Sequence, residues 1–106
     1  MRWPEGFIAV DWGTTNRRAY LIAPDGRMTD EMEDGRGVLS VGAHGFDAAV
    51  AEIRGRLGER PLLMAGMIGS NRGWVEIPYV PCPAGLPELA QKLAWVVPDR
   101  IAIVPG

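Results

Sequence analysis

An apolar strand that runs directly into a polar turn is the feature that most constrains the fold of this chain. Residues 7–10 are four apolar residues, typical of a buried strand, and a second strand pattern over residues 17–23 follows almost at once. Strands separated by so few residues pair as an antiparallel hairpin. The turn between them is Asp11-Trp12-Gly13-Thr14-Thr15-Asn16. The sequence therefore predicts a β-hairpin whose turn carries a carboxylate and two hydroxyls.

The composition of this turn fits a phosphate group. Backbone N–H groups and the hydroxyls of Thr14 and Thr15 could donate to phosphate oxygens, and Gly13 lets the backbone approach closely. Asn16 completes the predicted phosphate-binding set, and Asp11 is the candidate ligand of a hydrated Mg²⁺. The Walker-loop string G-x-x-x-x-G-K-[ST] is absent from the sequence. A plain hairpin with a capping aspartate is the alternative, because these residue types are common in turns.

Charge and composition narrow the class of protein. The 106 residues are 47% hydrophobic with a net charge of −2, which fits one compact globular domain. The 11 basic residues are dispersed, which argues against a nucleic-acid groove. A single cysteine cannot form an internal disulfide and fits a reducing compartment. The longest strongly apolar stretch, residues 62–68, is too short to span a bilayer. We therefore expect a cytoplasmic protein that binds neither nucleic acid nor membrane.

The order of elements predicts an α/β fold. Residues 27–33 should form a third strand and complete an antiparallel meander. Apolar residues at helical spacing predict a helix after Asp47, the expected N-cap, that stops at Gly58. Residues 62–68 read as a buried strand, Pro87 should open a second helix that runs through Trp95, and residues 100–104 should form the last strand. The expected architecture is a mixed sheet of about five strands with helices.

A second polar cluster follows the buried strand. Ligands of open α/β sheets bind beyond the carboxyl ends of strands. Ser70, Asn71 and Arg72 could hydrogen-bond a polyhydroxylated or carboxylated substrate, while Trp74 and Tyr79 could cover a sugar ring. The alternative is that the two aromatic residues anchor the core or an interface.

Two strings resemble the 2-keto-3-deoxygalactonate kinases. The first is D-W-G-T-T-N-R-R at residues 11–18, whose D-x-G-T-[TS] pattern is shared by sugar kinases, actin and heat-shock chaperone ATPases. The second is A-G-M-I-G-S-N-R-G-W-V-E-I-P-Y at residues 65–79, which is distinctive of this group. The resemblance implies an actin-like ATPase fold of the ribonuclease H-like type, whose first domain begins with three antiparallel strands, a helix and further parallel strands.

The same resemblance implies ATP-dependent phosphorylation of a sugar acid, 2-dehydro-3-deoxygalactonate, with Mg²⁺ as the metal. Asp11 would hold the metal through water, and the general base stays unassigned. The implied phosphate-loop residues are Asp11, Gly13, Thr14, Thr15 and Asn16, and the implied sugar-acid residues are Gly69, Ser70, Asn71, Arg72 and Trp74. The competing interpretation is a non-catalytic, actin-like nucleotide-binding module that serves as a switch or interaction domain.

Length separates this chain from the group it resembles. Members of the group are two-domain proteins that are substantially longer, so residues 1–106 are predicted to be an N-terminal lobe whose partner is a C-terminal lobe. On its own the chain is expected to be inactive. Apolar area left uncovered around Trp74, Tyr79 and Trp95 is expected to favour self-association.

Overall fold

The chain forms a six-stranded mixed sheet with an α-helix. The structure is a computed structural model that describes residues 3–42, 45–70, 73–74 and 93–104. The strands are β1 (Phe7–Trp12), β2 (Arg17–Ile22), β3 (Met28–Asp34), β4 (Leu62–Gly66), β5 (Ala94–Val97) and β6 (Ile101–Ile103). The helix is α1 (Phe46–Leu57), and two short 3₁₀ helices cover Val38–Ser40 and Met67–Gly69.

The sheet places the ends of two parallel strands side by side. Its order is β3-β2-β1-β4-β6-β5. The meander β1-β2-β3 is antiparallel, β4 runs parallel to both β1 and β6, and β5 is antiparallel to β6. Trp12, the last residue of β1, lies opposite Arg17 on one side and Gly66 on the other. The turn after β1 and the loop after β4 therefore leave the same edge of the sheet. The predicted mixed α/β sheet is confirmed, with six strands rather than about five.

One face of the sheet packs against α1 and forms the core. Alternation along β1 buries Ile8, Val10 and Trp12, because successive side chains of a strand point to opposite faces. The apolar stripe of α1 meets them, as its helical spacing predicts. The buried helix residues are Phe46, Ala49, Val50, Ile53 and Leu57. The core thus holds the end of β1 rigidly on the side that faces the helix.

The helix begins earlier than its predicted cap. Gly45, not Asp47, is the N-cap of α1, and it makes no side-chain capping hydrogen bond. Asp47 lies in the first helical turn, where a carboxylate interacts favourably with the helix dipole. The predicted stop is confirmed, since Gly58 has φ 104° and caps the last turn. Among the described residues, no helix is long and apolar enough to cross a bilayer.

Two predicted elements differ from the structure. The strand expected over residues 62–68 ends at Gly66, because the backbone there adopts φ 100° and then turns into a 3₁₀ helix. Trp95 lies in β5 rather than in a helix. Pairing of β5 with β6 and an edge contact between Trp95 and Trp3, with ring centroids 5.9 Å apart, favour the extended backbone. Ala94 also lies in β5, and Leu93 precedes this strand. Residues 87–92 of that predicted helix and Tyr79 lie outside the described residues.

Candidate active site

The hairpin turn between β1 and β2 borders a cleft of about 270 Å³. All five residues that the sequence singled out for phosphate binding line this cleft, together with two arginines and a glutamate. The lining residues are Asp11, Gly13, Thr14, Thr15, Asn16, Arg17, Arg18 and Glu33. The structure therefore brings the five predicted phosphate-binding residues together around one cleft.

Over residues 13–16 of the turn, all four backbone carbonyls are occupied and three of the four amides are open. The Gly13 N–H donates to the Asn16 carbonyl at 2.9 Å and closes the turn. The carbonyls of Gly13, Thr14 and Thr15 accept N–H groups from residues 37–39, at 2.9, 3.1 and 3.3 Å in that order. Within the described part of the chain, the amides of Thr14, Thr15 and Asn16 have no acceptor. Successive free amides are the donors that an anion such as phosphate requires.

The side chains of the turn add further donors. Thr14, Thr15 and Asn16 are all exposed. Asn16 Nδ2 donates to Thr15 Oγ1 over a long 3.4 Å, so little holds either group in place. These hydroxyl and amide groups are available to a ligand in the cleft.

The Asp11 carboxylate stands exposed beside the turn. It makes no hydrogen bond or ion pair with any described residue, whereas Glu33 in the same cleft pairs with Arg18. A Cβ atom placed on Gly66 would lie 3.3 Å from Asp11 Oδ1 and 2.8 Å from the Trp12 carbonyl oxygen, so the glycine leaves room for this carboxylate. No group of three or more His, Cys, Asp or Glu able to hold a metal occurs among the described residues. One carboxylate still fits Mg²⁺, which usually keeps several waters and takes phosphate oxygens as ligands.

Arg18 and Glu33 are site residues that sequence reasoning missed. Arg18 is the cross-strand partner of Asp11 and therefore lies on the same face of the sheet. Its Nε donates to a Glu33 carboxylate oxygen on β3. This hydrogen bond raises the pKa of the Arg18 guanidinium. The signal was available in the alternation of β2, because a residue directly opposite Asp11 must share its face.

Arg17 points the other way, into the fold. Its side chain is 1% exposed, and its guanidinium lies 5.1 Å from the centre of the Trp12 ring. Two bonds reach Asp34, from Nε at 2.9 Å and from Nη2 at 3.1 Å. Nη2 also donates to Glu52 and Nη1 to the Ala49 carbonyl, both at 2.8 Å. The Arg17 hydrogen bond lowers the pKa of Asp34, and the charge of Arg17 is neutralised within the fold.

The loop after β4 is closed by its own backbone. Ser70 Oγ donates to the Met67 carbonyl at 2.7 Å, and the Gly73 N–H donates to the Ser70 carbonyl at 3.0 Å. A Cβ on Gly73 would lie 2.1 Å from the Ile68 carbonyl oxygen, so the tight closure requires glycine. Gly69 and Ser70, both predicted to face the sugar acid, sit in this closed loop at the β4 end of the same sheet edge.

Trp74 is tied to the core as well as to this loop. Its ring stacks on Phe46 of α1, with centroids 5.8 Å apart and planes 13° apart, and Phe46 meets Trp12 edge to face. The side chain is half-buried. The core-anchor alternative for Trp74 is therefore supported by a direct contact. Asn71 and Arg72 lie outside the described residues.

Comparison with known proteins decides the family. Residues 11–106 match the family model described as 2-keto-3-deoxy-galactonokinase. The chain belongs to the 2-keto-3-deoxy-galactonokinase family. The resemblance read from the two sequence strings is thereby confirmed, and both strings lie within the matched range.

Relatives within the 2-keto-3-deoxy-galactonokinase family are longer than this chain. The 2-dehydro-3-deoxygalactonokinase of Escherichia coli K12 is 37% identical over 102 residues, and DgoK1 of Rhizobium meliloti, assigned the same activity, is 34% identical over 107. A Sinorhizobium meliloti crystal structure assigned as a 2-dehydro-3-deoxygalactonokinase superposes with a TM-score of 0.73 at 31% identity. In each comparison 94% of this chain is covered, against 34% of the relative. The chain thus spans about a third of the length of these relatives.

Proposed function

We propose that this chain supplies the first phosphate loop and part of the sugar-acid site of an ATP-dependent kinase that phosphorylates 2-dehydro-3-deoxygalactonate. The observation that carries the proposal is the state of the hairpin turn. Three of its carbonyls are bonded to residues 37–39, while the amides of residues 14–16 and the two threonine hydroxyls are open. They lie beside the Asp11 carboxylate, which has no partner among the described residues. The names of the relatives supply the substrate.

The proposed fold is the actin-like ATPase fold. Three antiparallel strands, then a helix, then strands parallel to the first support this assignment, because it is the order expected of the first lobe. A cleft ligand is held by two walls, and the present chain would provide one of them. A second lobe would provide the other wall, and the general base stays unassigned. For an enzyme that uses ATP on a sugar acid we propose a cytoplasmic location.

The turn would bind the phosphates of the nucleotide. Amides of Thr14, Thr15 and Asn16 would donate to phosphate oxygens, with the two threonine hydroxyls as further donors. Asp11 would hold the metal through water. Arg18, opposite it, lies on the same face and is paired with Glu33. Bound Mg·ATP would supply the γ-phosphoryl group that is transferred, and its Mg²⁺ would neutralise the charge of the phosphates. The contribution of this chain is positioning and electrostatic stabilisation, which dominate phosphoryl transfer.

The loop after β4 would contribute to the sugar-acid site. Gly69 and Ser70 leave the same sheet edge as the phosphate turn, which supports a substrate position next to the nucleotide. Asn71 and Arg72 are proposed to bind the carboxylate and hydroxyls of the sugar acid, on the strength of their chemistry. Trp74 would contact the sugar acid through the part of its ring that Phe46 does not cover.

The test is Asp11→Asn in the full reading frame that contains this chain. The substitution removes a charge with almost no change of shape, so we expect turnover with Mg·ATP and 2-dehydro-3-deoxygalactonate to fall about 10²-fold or more, with unchanged thermal stability. Asp47→Asn is the matched control, because Asp47 is also exposed but lies on α1 outside the cleft.

Near-normal turnover of the Asp11→Asn protein would contradict the phosphate-site assignment. A wild-type protein that binds Mg·ATP without phosphorylating the sugar acid would instead favour the nucleotide-binding module that acts as a switch. The two outcomes are separated by measuring nucleotide binding and phosphoryl transfer on the same preparation.

A further inference from the structure

A short segment supports the phosphate turn from behind. Residues 36–39, here called the strap, donate three consecutive amides to the turn carbonyls. The approach is so close that a Cβ on Gly37 would lie 2.3 Å from the carbonyl carbon of Thr15 and 2.4 Å from the Thr14 oxygen. Gly37 has an ordinary φ of −66°, so the requirement for glycine at this position is one of space and not of backbone conformation.

The strap is itself anchored to buried side chains at both ends of the turn. Trp12 Nε1 donates to the Arg36 carbonyl at 2.8 Å, and the Arg36 N–H donates to Asp34 Oδ1 at 3.0 Å. Asp34 is held in turn by the guanidinium of Arg17. Trp12 and Arg17 immediately flank the turn and are 0% and 1% exposed. The position of the strap is therefore fixed by the same core that fixes the ends of the hairpin.

We propose that the strap is a positioning element that orients the amides of the phosphate turn without itself contacting nucleotide. The turn has one closing hydrogen bond of its own. Without the strap, each bound ligand would have to order the turn, and this ordering costs conformational entropy. Fixing the carbonyl of a peptide unit fixes its planar N–H as well. The strap thus provides preorganised donors, the property that makes such sites effective toward developing charge. This inference rests on the proposed kinase function.

Two glycines two residues apart allow a matched test. Gly37→Ala places a methyl group against the turn backbone, whereas a Cβ on Gly35 meets nothing within 4 Å. Both substitutions reduce the freedom of the unfolded chain similarly. In the full reading frame, Gly37→Ala is expected to lower kcat/KM for ATP about 10²-fold, with KM for the sugar acid unchanged. Gly35→Ala should match the wild type in both parameters.

The outcomes separate this inference from the proposed function. Suppose that the wild type is active and that a folded Gly37→Ala protein has the same kcat/KM for ATP as Gly35→Ala. This result would overturn the inference and leave the kinase assignment standing. Equal losses toward ATP and sugar acid would also overturn it, because they would indicate general loosening. A wild type that binds Mg·ATP without transfer would refute the kinase, and calorimetric affinities of the two variants would still decide the role of the strap. Absence of both binding and transfer would overturn both proposals.

A second variant covers the case in which Gly37→Ala does not fold. Asp34→Asn weakens the Arg17 anchor but keeps an oxygen that can accept the Arg36 N–H. We expect Asp34→Asn to raise KM for ATP, with a smaller effect than that of Gly37→Ala. KM for the sugar acid should stay unchanged. An unchanged KM for ATP in this variant would contradict the positioning role.

Discussion

Arg17 and Asp34 meet through two parallel hydrogen bonds, from Nε to Oδ1 at 2.9 Å and from Nη2 to Oδ2 at 3.1 Å. The guanidinium is the side-chain group whose fork of donors matches a carboxylate in this way. Because Arg17 also reaches Glu52 and the Ala49 carbonyl, one buried cation joins β2, β3 and α1. This junction lies directly after the turn between β1 and β2.

Loss of the Arg17 guanidinium should destabilise the protein strongly. Arg17→Met removes the Arg17 donors from Asp34, Glu52 and a helix carbonyl, and among the described residues the two carboxylates keep only their hydrogen bonds from Arg36. We expect a loss of about 2 kcal/mol or more in the free energy of unfolding, below the roughly 3–5 kcal/mol of a fully buried pair. The reduction follows because the Asp34 and Glu52 side chains are 30% and 46% exposed. Urea unfolding of the purified protein measures the effect.

Arg18→Met is the matched control for that measurement. Arg18 is the next residue along β2, and its ion pair with Glu33 is exposed on both sides, so its removal should change stability little. Similar losses for both variants would show that the burial of Arg17 does not matter.

Acid should weaken the Arg17–Asp34 pair in a definite range of pH. Arg17 lowers the pKa of Asp34 below its ordinary value of 3.8, so the folded state favours the ionised carboxylate. The resulting stability is fully present above that ordinary value and is lost as pH falls through the lower, folded-state pKa. Melting temperatures recorded across this range should fall more steeply for the wild type than for Asp34→Asn. Parallel curves for the two proteins would refute the prediction.

The isolated 106-residue chain should bind Mg·ATP weakly or not at all. In the proposed two-lobe site this chain provides one wall of the cleft, and ligands in such sites derive their affinity from being largely enclosed. Calorimetric titration of the chain with Mg·ATP is the measurement, with the full reading frame as the comparison. Dissociation constants in the low micromolar range for the chain alone would contradict the two-lobe site.

The local features of this fold were predictable from sequence. The hairpin turn could be placed because strand periodicity and turn chemistry act over a few residues, and α1 because its apolar residues recur at helical spacing. Once the turn is placed, the hydrogen-bonding groups at its exposed tip, such as the Thr14 hydroxyl, follow from residue type. The bounds and antiparallel pairing of β1 and β2 confirm where the turn lies.

Contacts between distant segments were not predictable. The strap reaches the turn through backbone atoms, and no side-chain pattern encodes the approach of Gly37 to Thr15. Arg17 reads as an ordinary charged strand residue, since its burial depends on acids from β3 and α1 that only the fold brings together. Trp95 fits a helical spacing but lies in β5, because pairing with β6 favours the extended backbone there.

The parallel pairing of β4 has a consequence for how the chain acquires its structure. Leu62 lies between Ile8 and Ile101, so β4, one of the two central strands, has one neighbour made early in synthesis and one made late. Until residues 101–103 leave the ribosome, an apolar strand edge stays open in the nascent chain, and Trp3 still lacks its acceptor on Asp99. Sheets completed by such sequence-distant pairings fold slowly. Chaperone protection of the emerging polypeptide is thus expected to matter most in the interval between the synthesis of β4 and that of β6.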